Sequence, residues 1–199
     1  MTTTPTPDIL REICSEERSV NLHTLKNTVI LAIEIAREGR EGRKVGTIFV
    51  VSDSKNVLTK SRCLILDPLK GYADEEKIIT SSDVRETIKE LAQLDGAFIV
   101  SDAGVVVSAC RYINATSQGL DIPLGLGSRH MAAASITLET NAVAVVVWES
   151  SIVRIFDDGV LISEIIPELW LFSNYSMHLS GNVTKRTDKD LTVLSRTEE

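Results

Sequence analysis

The sequence predicts an α/β fold of α+β-like character, in which a mixed central β-sheet is flanked by helices in a single domain. Two apolar runs, VGTIFVV at 45–51 and AVAVVVW at 142–148, have the β-branched composition of buried strands. Segments with apolar residues at helical spacing precede and separate these runs. Strands and helices do not alternate strictly along the chain, so a mixed sheet is expected rather than a purely parallel one.

The first half of the chain supplies the helix and strand at the centre of this prediction. A helix is expected over about 22–37, where apolar residues recur at helical spacing, and it ends in the charged turn 38–44. The strand at 45–51 follows, and then a turn cluster at 52–56. Asp83 is expected to cap a second helix, with Glu86 completing a capping box.

The second half predicts two hairpins separated by a helix and a strand. Residues 96–101 and 105–112 are expected to pair across the turn Asp102-Ala103-Gly104. The elements expected after this hairpin are a loop over 114–126, a helix over 127–140, a strand over 142–149, and a second hairpin that pairs 153–156 with 160–165.

Three segments are expected in the domain organisation. Residues 1–20 form a partly disordered leader, 21–165 form the domain, and 166–199 form a C-terminal extension. Within the extension, 169–172 is expected to be helical, and 185–199 is expected to be solvated or frayed.

Composition excludes several classes of protein. The net charge of −7 argues against a broad nucleic-acid-binding surface, which needs clustered Lys and Arg. The longest apolar run, 142–148, is far too short to span a membrane, and the Thr/Pro-rich start lacks the features of a signal peptide. The three cysteines form no CxxC pair, so a zinc knuckle is not indicated. A cytoplasmic protein with neither nucleic acid nor membrane as partner is expected.

The first candidate for chemistry is Asp95-Gly96-Ala97, where a predicted helix gives way to a predicted strand. A carboxylate at a strand end, followed by glycine, leaves room for a ligand or metal to approach the backbone. The alternative is an ordinary helix-ending turn with an exposed aspartate.

The second candidate is the glycine-containing loop that leads into Gly127-Ser128-Arg129-His130. The unpaired N–H groups of a helix's first turn and the helix dipole favour an anion. Ser128 adds a hydroxyl, Arg129 adds a planar cation suited to phosphate oxygens, and His130 adds a further donor. The alternative is a serine N-cap beside a surface arginine.

Two further segments are weaker candidates. Tyr112 and Ile113 end a predicted strand and together could sandwich a base, although one residue facing the core and the other the rim is an open alternative. Glu149 ends an apolar strand and could hold a metal, or it could be a solvated strand end.

Taken together, residues 25–165 resemble the diadenylate cyclase (DAC) domain family, especially its stand-alone archaeal-type members. The family carries a DGA triplet and, about thirty residues later, an RHR triplet preceded by Gly and Thr. The matching segments are Asp95-Gly96-Ala97, Gly127-Ser128-Arg129-His130-Met131, the adenine-contacting type of stretch Ala109-Cys110-Arg111-Tyr112-Ile113, the strand Thr140 to Glu149, and the upstream stretch Ala36 to Thr47.

The sequence departs from the family pattern at four positions. Met131 replaces the last arginine of RHR, and Ser128 replaces threonine while keeping the hydroxyl. Asn114 stands where many members have proline, and Ser150 stands where many have a second glutamate.

The resemblance implies that two subunits face each other, each with one ATP, and that a homo-oligomer of at least two copies joins the two ATP molecules into cyclic di-AMP. It implies that Arg129, His130, Ser128 and Gly127 grip the triphosphate, and that Tyr112 and Ile113 hold adenine. Gly96 and Ala97 are implied to line the substrate site. Asp95 is implied to act in catalysis, by binding Mn²⁺ or Mg²⁺ or by helping to deprotonate the 3′-hydroxyl, and Glu149 is a second implied metal ligand.

Two other functions remain open from the sequence. The departures at Met131 and Ser150 favour a catalytically inactive module of the same fold that binds nucleotides or senses cyclic dinucleotides. A purely structural protein is the third possibility, and it predicts no rise in melting temperature with ATP.

Overall fold

The computed structural model describes residues 20–39, 42–116, 119–120, 126–148 and 150–166, and the backbone of the strands at 183–188 and 191–196. Most of the predicted leader, the helix expected at 169–172 and the predicted metal ligand Glu149 lie outside the described residues. None of the helices in the described ranges is long and apolar enough to cross a bilayer.

The described elements agree with most of the predicted order. The helices are α1 (Leu22–Glu38), α2 (Ser54–Thr59), α3 (Ser82–Leu91) and α4 (Ser128–Glu139), with a 3-10 turn at Asp74–Lys77. The strands are β1 (Thr47–Val51), β2 (Ser61–Cys63), β3 (Ala97–Val100), β4 (Val106–Ile113), β5 (Val143–Val147), β6 (Val153–Asp157), β7 (Val160–Ile165), β8 (Val183–Asp188) and β9 (Leu191–Arg196).

Two local predictions in the first half are wrong. The turn cluster at 52–56 does turn the chain, with Asp53 at φ 45°, but it continues into the short helix α2. The N-cap of α3 is Ser81, so Asp83 lies inside the first turn and does not form the predicted capping box. The Glu86 carboxylate instead accepts a hydrogen bond from Lys89.

The main sheet has seven strands in the order β2-β4-β3-β1-β5-β6-β7. β1 and β3 are parallel, and the other neighbouring pairs are antiparallel. The crossover through α2, β2 and α3 brings β3 back beside β1 in the same direction. The mixed sheet predicted from the sequence is therefore confirmed.

A second, two-stranded sheet lies in the predicted C-terminal extension. β8 and β9 pair antiparallel, from Val183 opposite Arg196 to Asp188 opposite Leu191. The expectation that 185–199 is frayed is therefore wrong for the residues of these strands. Each strand contains Thr and Val, β-branched residues that favour a paired strand.

The central strands are apolar throughout because helices cover both faces of the sheet. Phe49 and Val51 belong to a cluster beneath α1 and α3, where the Phe49 ring stacks on Phe98 at 5.0 Å between centroids. Ile48 and Val50 face the other side, in a cluster with residues of α2 and α4. Because these strands are buried on both faces, their sequences are continuously apolar and do not alternate between apolar and polar residues.

The register brings four strand ends to one edge of the sheet, called the site edge below. Ile48 of β1 lies opposite Ala97 at the start of β3, and Ala97 lies opposite Arg111 near the end of β4. On the other side of β1, Thr47 lies opposite Val147 at the end of β5. The predicted motifs at the start of β3 and the end of β4 therefore meet at the site edge.

An ion-pair cluster fastens α3 to α1 on the far side of the sheet. Lys89 is 6% exposed, and its Nζ lies 2.8 Å from Glu86, 3.1 Å from Glu38 and 3.2 Å from Glu34. Arg85 contacts Glu34 at 2.7 Å. Burial by itself lowers the pKa of Lys89, but its hydrogen bonds to the three carboxylates outweigh burial, so the pKa is raised above 10.5. Lys89 is therefore charged at neutral pH.

Replacing Lys89 with Met is expected to lower the free energy of unfolding by about 1–2 kcal/mol, because carboxylates that crowd together lose their shared cation. The Lys89 contribution is present below pH about 10.5 and is lost as pH rises through the raised pKa. Urea unfolding at pH 7 measures the loss. Lys60→Met is the matched control, because Lys60 forms a more exposed pair with Glu139 at 2.7 Å; its loss is expected to stay below about 1 kcal/mol. Equal losses would contradict the prediction.

Candidate functional site

The start of β3 is built around a close backbone approach at Gly96. Gly96 has φ +114°, and a Cβ placed there would lie 2.7 Å from the carbonyl carbon of Cys110. Cys110 has φ +53° and lies where the pairing of β3 with β4 shifts by one residue, which is a β-bulge. The Thr47 hydroxyl donates to the Gly96 carbonyl at 3.4 Å. The glycine of the DGA triplet therefore lets two backbones meet and leaves Asp95 at the rim.

Asp95 is an exposed carboxylate at the site edge. Its side chain is 75% exposed, and Oδ1 accepts the Gly96 N–H at 3.0 Å. Arg129 Nη2 lies 3.4 Å from the same oxygen. Among the described residues, Oδ2 accepts no hydrogen bond. One oxygen therefore fixes the carboxylate, and the other is open to a ligand.

The beginning of α4 lies beside the end of β5. Gly127 is the N-cap, and a Cβ there would lie 2.9 Å from the Trp148 ring, so the indole takes the space of a side chain. Ser128 is exposed, and the Arg129 side chain is 27% exposed. The first turn of α4 thus presents a hydroxyl and a guanidinium at the same edge as Asp95.

The structure corrects the predicted role of His130. The His130 side chain is 0% exposed, and its ring lies 4.7 Å from Trp148 and 6.0 Å from Phe156 between centroids. The helical period turns residue 130 inward, whereas Arg129 faces the rim. His130 therefore does not stand beside Arg129 as a surface donor to a triphosphate.

Burial also sets the protonation of His130. Desolvation, assisted by the charges of Arg154 and Arg129 and opposed by Glu164, lowers the pKa of His130 to about 4. Arg154 Nη1 lies 3.1 Å from His130 Nε2. The imidazole is therefore neutral at physiological pH.

The free energy of unfolding is expected to decrease as the pH is lowered, because of His130. Between pH about 6.5 and about 4 the unfolded chain binds a proton at this residue and the folded chain does not, so acidification favours unfolding. His130→Gln removes the titration and retains a carbonyl that can accept from Arg154. Urea unfolding at pH 7 and pH 4.5 should show wild type losing roughly 1–3 kcal/mol more than the variant. Parallel losses in the two proteins would refute this.

Tyr112 and Ile113 lie on opposite faces of β4. Tyr112 is 46% exposed, with the Arg62 guanidinium 4.6 Å from its ring centroid, whereas Ile113 is 4% exposed in the core. This placement matches the alternative left open by the sequence: Ile113 faces the core and Tyr112 faces the rim. Ile113 therefore cannot sandwich a base against Tyr112, and Tyr112 with Arg62 forms the accessible pair.

The described residues contain no group of three His, Cys, Asp or Glu side chains placed to hold a metal ion. Asp95 is the predicted ligand that the structure describes, and Glu149 follows Trp148 outside the described residues. A single carboxylate fits a magnesium-type ion that completes its shell with water and substrate phosphates. The donor set is thus compatible with a metal that arrives with the nucleotide.

Sequence reasoning missed three residues of the site. Arg62 faces Tyr112 across paired strands, Trp148 packs on Gly127, and Arg154 contacts His130. Trp148 and Arg154 lie on or beside strands that the sequence did predict. Their contacts with Gly127 and His130 depend on how α4 packs against the sheet, which no local pattern in the sequence encodes.

Comparisons with known proteins place the sequence in a family. The sequence profile of the family described as "DAC: DisA bacterial checkpoint controller nucleotide-binding" matches residues 34–161. A protein named diadenylate cyclase from Methanocaldococcus jannaschii is 51% identical over 145 residues, covering 72% of this chain and 46% of that protein. A protein of the same name from Haloferax volcanii is 42% identical over 147 residues, covering 73% of this chain and 54% of that protein. The chain thus spans about half the length of these relatives.

A solved structure shares the fold. The crystal structure of a hypothetical membrane spanning protein from Bacillus cereus superposes with a TM-score of 0.52 at 18% identity, covering 70% of this chain and 62% of that one. At this identity the likeness concerns the fold alone.

Proposed function

The chain belongs to the DAC nucleotide-binding family, whose profile matches residues 34–161, and we propose that it is a diadenylate cyclase, a nucleotidyltransferase that condenses two ATP molecules into cyclic di-AMP and two pyrophosphates. The observation that carries the proposal is the 3.4 Å contact between Asp95 and Arg129. These residues come from two motifs well separated along the chain, and a carboxylate and a guanidinium that lie side by side support the proposed roles as metal ligand and phosphate ligand.

Arg129 and Ser128 are proposed to hold the triphosphate. Arg129 offers the planar donors that match phosphate oxygens, and the N-terminus of α4 adds the positive end of a helix dipole. The Arg129–Asp95 pair is only partly buried, so its opening costs about 1 kcal/mol or less. Arg129 can therefore move from Asp95 to the triphosphate of ATP. The Asp95 carboxylate is then available to a metal ion or to the 3′-hydroxyl.

Asp95 is proposed to bind Mn²⁺ or Mg²⁺ or to help remove the proton of the 3′-hydroxyl. A divalent ion bound there supplies charge neutralisation for the triphosphate and for an ionising hydroxyl. The open Oδ2 and the high exposure of Asp95 support both roles. The Gly96 N–H holds the other oxygen at 3.0 Å, so the carboxylate keeps its orientation when Arg129 turns to the nucleotide.

The chemical step is a double in-line displacement between two bound nucleotides. Each ribose 3′-oxygen forms a bond to the α-phosphorus of the other ATP, the bond from that phosphorus to pyrophosphate breaks, and the 3′-proton passes to a base or water. Such a transfer depends on positioning and charge more than on covalent chemistry by the enzyme. The chain contributes the grip of Arg129 and Ser128 on the phosphates and the carboxylate of Asp95.

Tyr112 is proposed to stack on adenine. Its ring is accessible at the site edge, and Arg62 lies over it at 4.6 Å, which is cation–π distance. A base that binds here either replaces Arg62 on that ring or joins the stack. Gly96 and Ala97 line the same edge, with Ala97 itself 1% exposed, so they contribute backbone.

One copy holds only half of the reacting pair, so at least a facing dimer is proposed. Three consecutive apolar side chains, Leu64, Ile65 and Leu66, are 37%, 48% and 94% exposed and directly follow β2, the strand that carries Arg62. An exposed apolar segment next to the proposed adenine-binding residue supports a second copy docking there. ATP as the substrate agrees with the expected cytoplasmic location.

The test is to incubate the purified chain with ATP and either Mn²⁺ or Mg²⁺ and to separate the products by chromatography. Cyclic di-AMP should appear with pyrophosphate, and the rate per subunit should rise with protein concentration if two copies meet. No product with either metal at any protein concentration would overturn the proposal.

A nucleotide-binding or cyclic-dinucleotide-sensing module without activity is the second candidate. Two observations favour it: Met131 stands in place of the last arginine of the RHR triplet, and His130 is buried. Of the three positions of that triplet, Arg129 therefore supplies the positive charge at the rim. This candidate predicts an ATP-dependent rise in melting temperature without any product.

A further inference from the structure

Arg154 is a partly buried cation behind the first turn of α4. Its side chain is 12% exposed, and its Nε donates to Glu164 Oε1 at 2.6 Å across the β6–β7 pair. Its Nη1 lies 3.1 Å from Nε2 of His130. The guanidinium thus bridges an outer carboxylate and an inner imidazole.

This contact determines which nitrogen of His130 carries the proton. A guanidinium is a donor only and keeps its protons at every pH a protein experiences. His130 Nε2 must therefore accept, so the ring is neutral and its proton is on Nδ1. Among the described residues, Nδ1 has no hydrogen-bond partner. The interaction with Arg154 is thus the hydrogen bond that orients the ring.

The orientation of His130 is transmitted to the nucleotide end of α4. His130 follows Arg129 directly, and its ring packs on Trp148. The same indole occupies the space next to Gly127, the N-cap. Rotation of the His130 ring would therefore disturb both the indole and the turn that carries Ser128 and Arg129.

The charged groups that face His130 are Arg154 on β6, Glu164 on β7 and Arg129 on α4. Two of the three are cations. Glu164 is 48% exposed and compensates Arg154 from the solvent side. The first turn of α4 therefore has the positive charge of Arg154 on its inner side and that of Arg129 on its outer side.

We propose that Arg154 is a positioning residue of the nucleotide site: by donating to Nε2 it fixes the His130 ring, and through it the Ser128–Arg129 turn, in the conformation that receives the triphosphate. The inference rests on the proposed function, because it assigns Arg154 to the same site. Arg154 itself is set back from the rim and touches His130 rather than the nucleotide.

The first experiment measures binding of α,β-methylene-ATP with Mg²⁺ by calorimetry, which needs no turnover. Arg154→Met is expected to weaken binding about tenfold, and Arg154→Lys, which retains a charged donor, less than that. Arg85→Met is the matched control. Arg85 is 14% exposed and paired with Glu34 at 2.7 Å, but it lies on the opposite face of the sheet. Its loss should lower the melting temperature and leave the affinity unchanged.

The second experiment reads the ring directly by ¹⁵N NMR of labelled histidine. Wild type should show His130 protonated at Nδ1 at neutral pH. In Arg154→Met, the Nε2 chemical shift should change because Nε2 no longer accepts a hydrogen bond from Arg154. The His130 ring should also titrate at a higher pH, because a neighbouring cation has been removed. A wild-type ring protonated at Nε2 would overturn the inference. If the Met variant does not fold, the wild-type spectrum decides the question by itself, and Arg154→Lys should keep the wild-type pattern because it retains a charged donor.

The outcomes separate this inference from the proposed function. If wild type binds the analogue and folded Arg154→Met binds it equally well, Arg154 does not position the site and the proposed function still stands. If wild type does not bind the analogue at all, the proposed function fails and this inference fails with it. Equal weakening in Arg154→Met and Arg85→Met would mark a general loss of stability and would also overturn the positioning role.

Discussion

Replacing Asp95 with Asn is expected to reduce cyclic di-AMP formation at least about a hundredfold while leaving the fold intact. The amide keeps the size and can still accept the Gly96 N–H, but it carries no charge for a metal and cannot take up a proton. The side chain is 75% exposed, so its replacement should not change the core. Initial rates at saturating ATP and metal, with a thermal melt of each protein, measure the two effects separately.

Asp102→Asn is the matched control for this substitution. Asp102 is an exposed aspartate in the β3–β4 turn, at the opposite end of the strand from Asp95. Its backbone carbonyl, which accepts from Thr24 at 2.8 Å, is unaffected by the change. Activity in Asp102→Asn should equal that of wild type. Retained activity in Asp95→Asn would remove Asp95 from the mechanism.

Gly96→Ala is expected to lower the free energy of unfolding by about 2–4 kcal/mol. Two costs combine at this position. A φ of +114° is strained for a residue with a side chain, and the new Cβ would lie 2.7, 2.8 and 2.9 Å from backbone atoms of Cys110 and Arg111. Backbone cannot move aside as the tip of a flexible side chain can, so β3 must separate from the bulge of β4.

Gly71→Ala isolates the first of these costs, the backbone strain. Gly71 has a similarly positive φ of +94°, but a Cβ there meets nothing within 4 Å. Its loss should be limited to the backbone strain, about 1–2 kcal/mol. Denaturant unfolding of the two variants measures the difference. If Gly96→Ala costs no more than Gly71→Ala, the close approach of the two strands is not what requires glycine in the DGA triplet.

The two substitutions at neighbouring positions should separate chemistry from architecture. Asp95→Asn should lose activity and keep stability, because Asp95 is at the rim. Gly96→Ala should lose both, because displacement of β3 also moves Asp95 away from Arg129. One triplet therefore carries a chemical residue and a structural one side by side.

The sequence by itself determined most elements of the main sheet and the chemical residue types of this protein. The runs at 45–51 and 142–148 are apolar enough to predict strands buried on both faces, and the hairpin turns at Asp102-Ala103-Gly104 and Asp157-Asp158-Gly159 are encoded locally. The motifs around Asp95 and Arg129 carry residue types that suit metals and phosphates, and their order and spacing resemble the DAC family. Each of these patterns lies within a short stretch of the chain, so it can be read from the sequence without a structure.

Only the tertiary structure decided which of these residues face the site. His130 and Ile113 are adjacent to the surface residues Arg129 and Tyr112, but the helical and strand periods turn their side chains into the core. Arg154 contacts His130 because α4 packs against β6, and Arg62 contacts Tyr112 because β2 pairs with β4. Both contacts join segments that are far apart along the chain, so they depend on how the whole domain packs and the local sequence pattern does not reveal them.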